Sequence, residues 1–112
     1  MAASHPDAEH SVLLVIDVQN DFCPGGALGV PDGDAVISPI NLLTRHFRHV
    51  VFTQDWHPAN HASFFTNHKG KKAFDVIKLH GKDQVLWPPH CVQKTPGAEV
   101  LLDNKLFKAV VK

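Results

Sequence analysis

Cysteine is scarce in this chain, and long apolar runs are missing. The 112 residues hold two cysteines, Cys23 and Cys91, too few for a disulfide framework, and no signal-peptide pattern precedes them. No stretch approaches the ~20 apolar residues needed to cross a bilayer. An excess of charge is lacking too: 11 lysines and arginines balance 11 aspartates and glutamates. Without a basic stripe, neither nucleic acid nor an anionic membrane is favoured as a partner. A reducing, cytoplasmic setting is the expectation that follows. Repeats and low-complexity tracts are also absent. The length fits one small domain and is short for a complete multi-stranded α/β enzyme. Residues 1–10 are polar and read as a flexible tail, which leaves 11–112 as the domain.

What the chain does have is histidine, nine in all. His5, His10, His46, His49 and His68 sit in polar surroundings and read as solvated. The first apolar run, Val12-Leu13-Leu14-Val15-Ile16, is rich in β-branched residues, as expected of a central parallel strand covered on both faces. It ends at Asp17. Residues 20–33 carry Cys23-Pro24-Gly25-Gly26, Gly29, Pro31 and Asp32-Gly33, a loop by its turn residues. Val36, Ile37, Ile40, Leu43 and Phe47 then recur at helical spacing, with Arg45 and Arg48 near the C-terminal end, where cations suit the dipole. Either Asp34 caps this helix, or Ser38 does with Pro39 at the first helical position.

Val50-Val51-Phe52 reads as a second buried strand. Strand, helix and strand form a βαβ unit with parallel strands. Asp17 and Asp55 then share the carboxyl edge of the sheet, where open α/β sheets bind ligands. No convincing strand stands out between residues 56 and 97, and so long a loop inside a compact domain is normally functional or disordered. Phe64, Phe65, Phe74 and Trp87 argue against plain disorder. Residues 98–104 fit a short helical crossover and 107–111 a third strand.

Asp55 and His57 are separated by one residue, so on an extended strand end both side chains point the same way. That suits two ligands of one ion; the bland alternative is a carboxylate orienting an imidazole. His90 follows much later, behind Trp87-Pro88-Pro89. A carboxylate and two imidazoles are typical of a catalytic divalent site that keeps a position open. Cys91 competes with His90, although a thiolate would favour a closed structural site. His61 is either a further ligand or an outer group. Asp17 is either a base or a cap on the loop after the first strand. Phe22 and Trp87 are either core aromatics or substrate platforms, and Cys23 is most simply a small hydrophobe.

Three motifs taken together narrow the field. Asp17-Val18-Gln19-Asn20-Asp21-Phe22-Cys23 with Gly25-Gly26, then Gln54-Asp55-Trp56-His57-Pro58-Ala59-Asn60-His61, then Trp87-Pro88-Pro89-His90-Cys91-Val92 resemble the nicotinamidases of the isochorismatase-like cysteine hydrolases. The resemblance implies a Rossmann-like parallel sheet with flanking helices. It implies hydrolysis of nicotinamide, or a close pyridine carboxamide, to nicotinate and ammonia through a cysteine thioester. It also implies that Asp17 is the catalytic carboxylate and that Asp55, His57 and His90 hold a divalent ion, with His61 close by. Zinc is the first choice of ion, with iron and manganese as alternatives. Phe22 and Trp87 would flank the pyridine ring.

The resemblance places the nucleophilic cysteine well downstream of the third strand, past Lys112, and so at neither Cys23 nor Cys91. It places the catalytic lysine at or just after Lys112. The chain therefore reads as the N-terminal portion of such an enzyme, inactive by itself, with self-association left open. A non-catalytic metal-binding or interaction module is the alternative.

Overall fold

The structure, a computed structural model, describes residues 9–102 and, as backbone, 109–111. Most of the expected tail and Lys112 lie outside the described residues. Strands β1 (Val12–Ile16), β2 (His49–Thr53) and β5 (Ala109–Val111) form a parallel sheet in the order β1-β2-β5. The register runs from Val12 opposite His49 to Ile16 opposite Thr53, and from Val51 opposite Ala109 to Thr53 opposite Val111. The βαβ unit is therefore as the apolar runs predict. Of the third strand, residues 107 and 108 lie outside the described residues.

The connecting helix is composite. A 3-10 turn over Gly33–Val36 leads into α1 (Ile37–Leu43), and a second 3-10 turn over Thr44–His46 ends it. Neither Asp34 nor Ser38 makes a capping hydrogen bond, because the chain enters helical geometry before either could act. Pro39 lies in the first turn of α1, where its missing N–H removes no intrahelical bond.

The core gathers Val15, Val50 and Phe52 of the sheet with Val18 and Leu102, and Ile37, Ile40, Phe47 and Val100 pack against it. All of this lies on one side. β1 alternates its side chains, so Leu13 and Val15 turn inward while Val12, Leu14 and Ile16 are 56, 54 and 64 % exposed. The expectation that β1 is a central strand covered on both faces does not hold among the described residues: β1 lies at the edge of the sheet, and the single helix covers one face.

Two further expectations need correction. The stretch 56–97 contains an antiparallel hairpin, β3 (Val76–Leu79) with β4 (Lys82–Val85). Its turn is His80-Gly81, with φ of 52° and 80°, the two positive values that a type I′ hairpin turn requires. Each strand is only four residues long, and the interleaved Lys78, Lys82 and Asp83 dilute its apolar pattern. Second, residues 99–102 are not helical. Pro96–Ala98 is a 3-10 turn, after which Glu99 turns extended. Val100 then bridges Gln19, and the Leu101 N–H donates to the Val18 carbonyl. Residues 103 and 104 lie outside the described residues.

Candidate metal centre

β2 delivers Asp55 to the carboxyl edge, and the loop after it is fastened there by backbone bonds. The His57 N–H donates to the Cys91 carbonyl at 2.9 Å, and the Gln93 N–H donates to the His57 carbonyl at 2.8 Å. A second fastening joins Phe64 to Trp87: the Trp87 N–H donates to the Ser63 carbonyl and the Phe65 N–H to the Trp87 carbonyl. These two parallel bridges carry His90 back over more than thirty residues of sequence to lie beside His57.

Asp55, His57 and His90 each offer a ligand atom, all within 4.8 Å of one another. Asp55 Oδ1 lies 3.4 Å from His57 Nε2, and its Oδ2 lies 3.4 Å from His90 Nε2. Two atoms bound at ~2.0–2.1 Å to one tetrahedral ion stand about 3.3–3.4 Å apart, so the spacing fits joint ligation. His90 Nδ1 is 2.8 Å from the Pro88 carbonyl, to which only an N–H can donate. A backbone carbonyl is a common outer partner for a ligating imidazole, and in the neutral ring it leaves Nε2 to carry the lone pair on the Asp55 side. His57 Nδ1 is buried without a partner. Burial holds the His57 imidazole below its usual range, His61 and His90 push the same way, and the Asp55 carboxylate opposes them. A neutral imidazole is the form that binds a metal.

Phe64 is the floor of the site. It is fully buried, and its ring lies 5.3 Å from that of His57 and 5.4 Å from that of His90, edge-on to both. Phe22 stands at the side, its ring 5.8 Å from His90. Trp87 instead meets Phe74 edge-on at 6.0 Å. His61 is close, its ring 4.6 Å from His57, but it is not among the converging ligand atoms.

Cys91 is not among them either. Its backbone is left-handed, its N–H donates to Asp21 Oδ2 at 2.7 Å, and its side chain is buried. Burial first, then the carboxylates of Asp55, Asp21 and Asp17, push its thiol up to about 12. Burial and Asp34 likewise raise Cys23. Both thiols stay protonated near neutrality and make poor nucleophiles.

Asp17 sits at the end of β1 in a left-handed conformation, φ 52°. Thr53 Oγ1 donates to its Oδ1 at 2.6 Å and accepts from its N–H at 3.0 Å. Two motif residues whose roles the sequence did not reveal hold this edge together. Gln19, fully buried, donates to the carbonyls of Asp55 and Ala98 and accepts from the Asp55 N–H. Asp21 clasps both Cys91 and the Ala27 N–H; a side chain at Gly97 would fall on its carboxylate.

Sequence comparison decides the family: an isochorismatase domain matches residues 11–108. The chain belongs to the isochorismatase family. Over 93 residues it is 54 % identical to a nicotinamidase of Acinetobacter baylyi, a match covering 83 % of this chain and 44 % of that protein. Its fold superposes on a yeast nicotinamidase bound to the inhibitor nicotinaldehyde with a TM-score of 0.80 at 37 % identity, covering 90 % of this chain and 56 % of that one. A pyrazinamidase of Pyrococcus horikoshii in complex with zinc matches with a TM-score of 0.69 at 40 % identity, over 90 % of this chain and 50 % of that one. The chain thus spans about half the length of the relatives it matches, and it has their isochorismatase-like α/β fold. Among the described residues no helix is long and apolar enough to cross a membrane.

Proposed function

We propose that these residues form the ion- and ring-binding part of a nicotinamidase, a cytoplasmic cysteine amidohydrolase converting nicotinamide to nicotinate and ammonia. The observation that carries the reading is the Asp55 carboxylate shared at 3.4 Å with the Nε2 atoms of both His57 and His90, beside the Phe22 ring. The nicotinaldehyde-bound and zinc-bound relatives support it. Asp55, His57 and His90 hold a divalent ion, zinc before iron or manganese. Held by those three side chains, the ion would supply a Lewis-acidic position suited to orienting a pyridine carboxamide through its ring nitrogen. Phe22 and Trp87 hold the flat ring by stacking. Asp17 takes the proton of the attacking thiol, and Thr53 fixes its carboxylate for that work. A primary amide resists water, so a thiolate splits one hard step into two.

That thiolate comes from neither Cys23 nor Cys91, whose environments keep them protonated. The second reading is an ion-binding module without catalysis. Calorimetry with nicotinamide separates the two. The nicotinamidase reading expects binding to the zinc-loaded protein, lost in Phe22→Ala and without ammonia release above the enzyme-free control. No binding would favour the module. Ammonia release abolished by Asp17→Ala would bring Cys91 or Lys112 into the chemistry and overturn the assignment of the thiol.

A further inference from the structure

Phe74 breaks a local rule. The Asp75 N–H donates to the Lys72 carbonyl at 3.1 Å, which closes a four-residue turn with Phe74 third. Phe74 has a φ of 72°, and Ala73 before it is not left-handed. A positive φ at the third residue alone is the type II arrangement, where glycine or asparagine is the ordinary choice. A bulky side chain strains that backbone. Burial does not explain the phenylalanine, which is 61 % exposed. What its side chain does reach is Trp87: the two rings stand edge-on, 6.0 Å between centres and 87° between planes.

The turn is fastened to the residue just before Trp87. The Phe74 N–H donates to the carbonyl of the fully buried Leu86 at 2.6 Å, and the Leu86 N–H donates to the Asp75 carbonyl at 2.8 Å. Asp75 Oδ2 receives the Lys72 N–H at 3.0 Å. The Trp87 backbone is fixed in turn by its bonds to Ser63 and Phe65. Its half-buried indole still rotates about its own side-chain bonds unless a neighbour stops it.

We propose that Phe74 is a positioning residue for the Trp87 indole, and that the strained turn is kept because glycine, which would relax it, cannot supply the ring. This rests on the reading of Trp87 as a wall for a pyridine ring. Phe74 itself touches no substrate; it sets the tilt of the indole against which the flat ring stacks. Local rules are broken where function requires it, and here ring order and backbone comfort oppose each other at one position.

Comparing the full chain as wild type, Phe74→Tyr, Phe74→Ala and Phe74→Gly separates the two. Chemical denaturation reports the backbone. Alanine and glycine lack the ring alike and only glycine is at ease with a positive φ, so Phe74→Gly is expected to unfold at a higher denaturant concentration than Phe74→Ala. NMR relaxation of the indole N–H, assigned by the signal lost in Trp87→Phe, reports the ring. The Trp87 order parameter is expected near ~0.85 in wild type and Phe74→Tyr, and below ~0.6 in Phe74→Ala and Phe74→Gly. Calorimetry on the zinc-loaded chain should show both ring-free variants binding nicotinamide about two- to tenfold more weakly, the range one aromatic pair supplies, with Phe74→Tyr unchanged. A merely structural Phe74 predicts a different pairing, in which glycine restores indole order and affinity along with stability. That result, an indole equally rigid in all four proteins, or glycine no more stable than alanine would overturn the proposal. A wild type that binds no nicotinamide would remove the nicotinamidase reading instead, and the indole and denaturation measurements would still decide what Phe74 does.

Discussion

Residues 54–102 and the three-stranded sheet are built to different standards of completion. The long segment has little regular structure, yet it holds Phe64, Leu86 and Cys91 fully buried and is pinned by two parallel bridges and the Asp21 clasp. The sheet is regular, yet β1 turns Val12, Leu14 and Ile16 to solvent and lies at an edge of the described sheet. Regular backbone pairing and a finished core are thus separate achievements. The metal centre belongs to the finished part: Asp55, His57 and His90 all come from the pinned segment, and Gln19 fastens the Asp55 backbone to Ala98 within it.

The sharpest way to break this comparison is to remove the floor of the centre. Phe64→Ala is expected to cost about 3–5 kcal/mol in chemical denaturation, and to abolish metal binding because both imidazoles lose their support. A loss near that of a surface change would mean that the segment is not a packed unit.

Alkaline titration probes the same region through Cys91. Burial and the nearby carboxylates push its thiol from the ordinary 9.0 up to about 12, so the folded state keeps the proton that the unfolded state gives up. The stabilisation is complete below the unfolded pKa and is lost as pH rises from 9.0 toward about 12. Denaturation midpoints of the wild type should fall across that window more steeply than those of Cys91→Ala. Parallel slopes would contradict the burial of this thiol.

The smallest expected change comes from the other region. Leu14→Thr on the open face of β1 should alter stability by no more than ~0.5 kcal/mol, because its side chain is already 54 % exposed. Apolar faces and unpaired strand edges invite association, so this variant should also sediment as smaller species than the wild type. A loss of several kcal/mol would show that the face is covered in solution.

How much of this was legible follows the range of the interactions. The β1–α1–β2 unit announces itself in local patterns: two apolar runs and a helical spacing between them. Asp55 and His57 are also local, two positions apart on an extended segment, and the family motifs supply His90. The hairpin escaped because four-residue strands broken by lysines carry little periodic signal, although His80-Gly81 marked its turn. Phe64, Gln19 and Asp21 escaped as parts of the site for another reason. Each acts on at least one residue far along the chain (Asp21 on Cys91, Gln19 on Asp55 and Ala98, Phe64 on His90), and nothing in their neighbours in sequence shows where those partners stand.

The central claim is that the pinned segment presents one preformed divalent site made by Asp55, His57 and His90. Zinc titration by calorimetry, wild type beside His90→Ala, tests it most directly. The account predicts one ion per chain in the wild type. In the variant it predicts a loss beyond the 10–100-fold typical of outer-shell partners, with the fold intact by circular dichroism. Equal affinity in the two proteins, or no bound ion in a folded wild type, would contradict it.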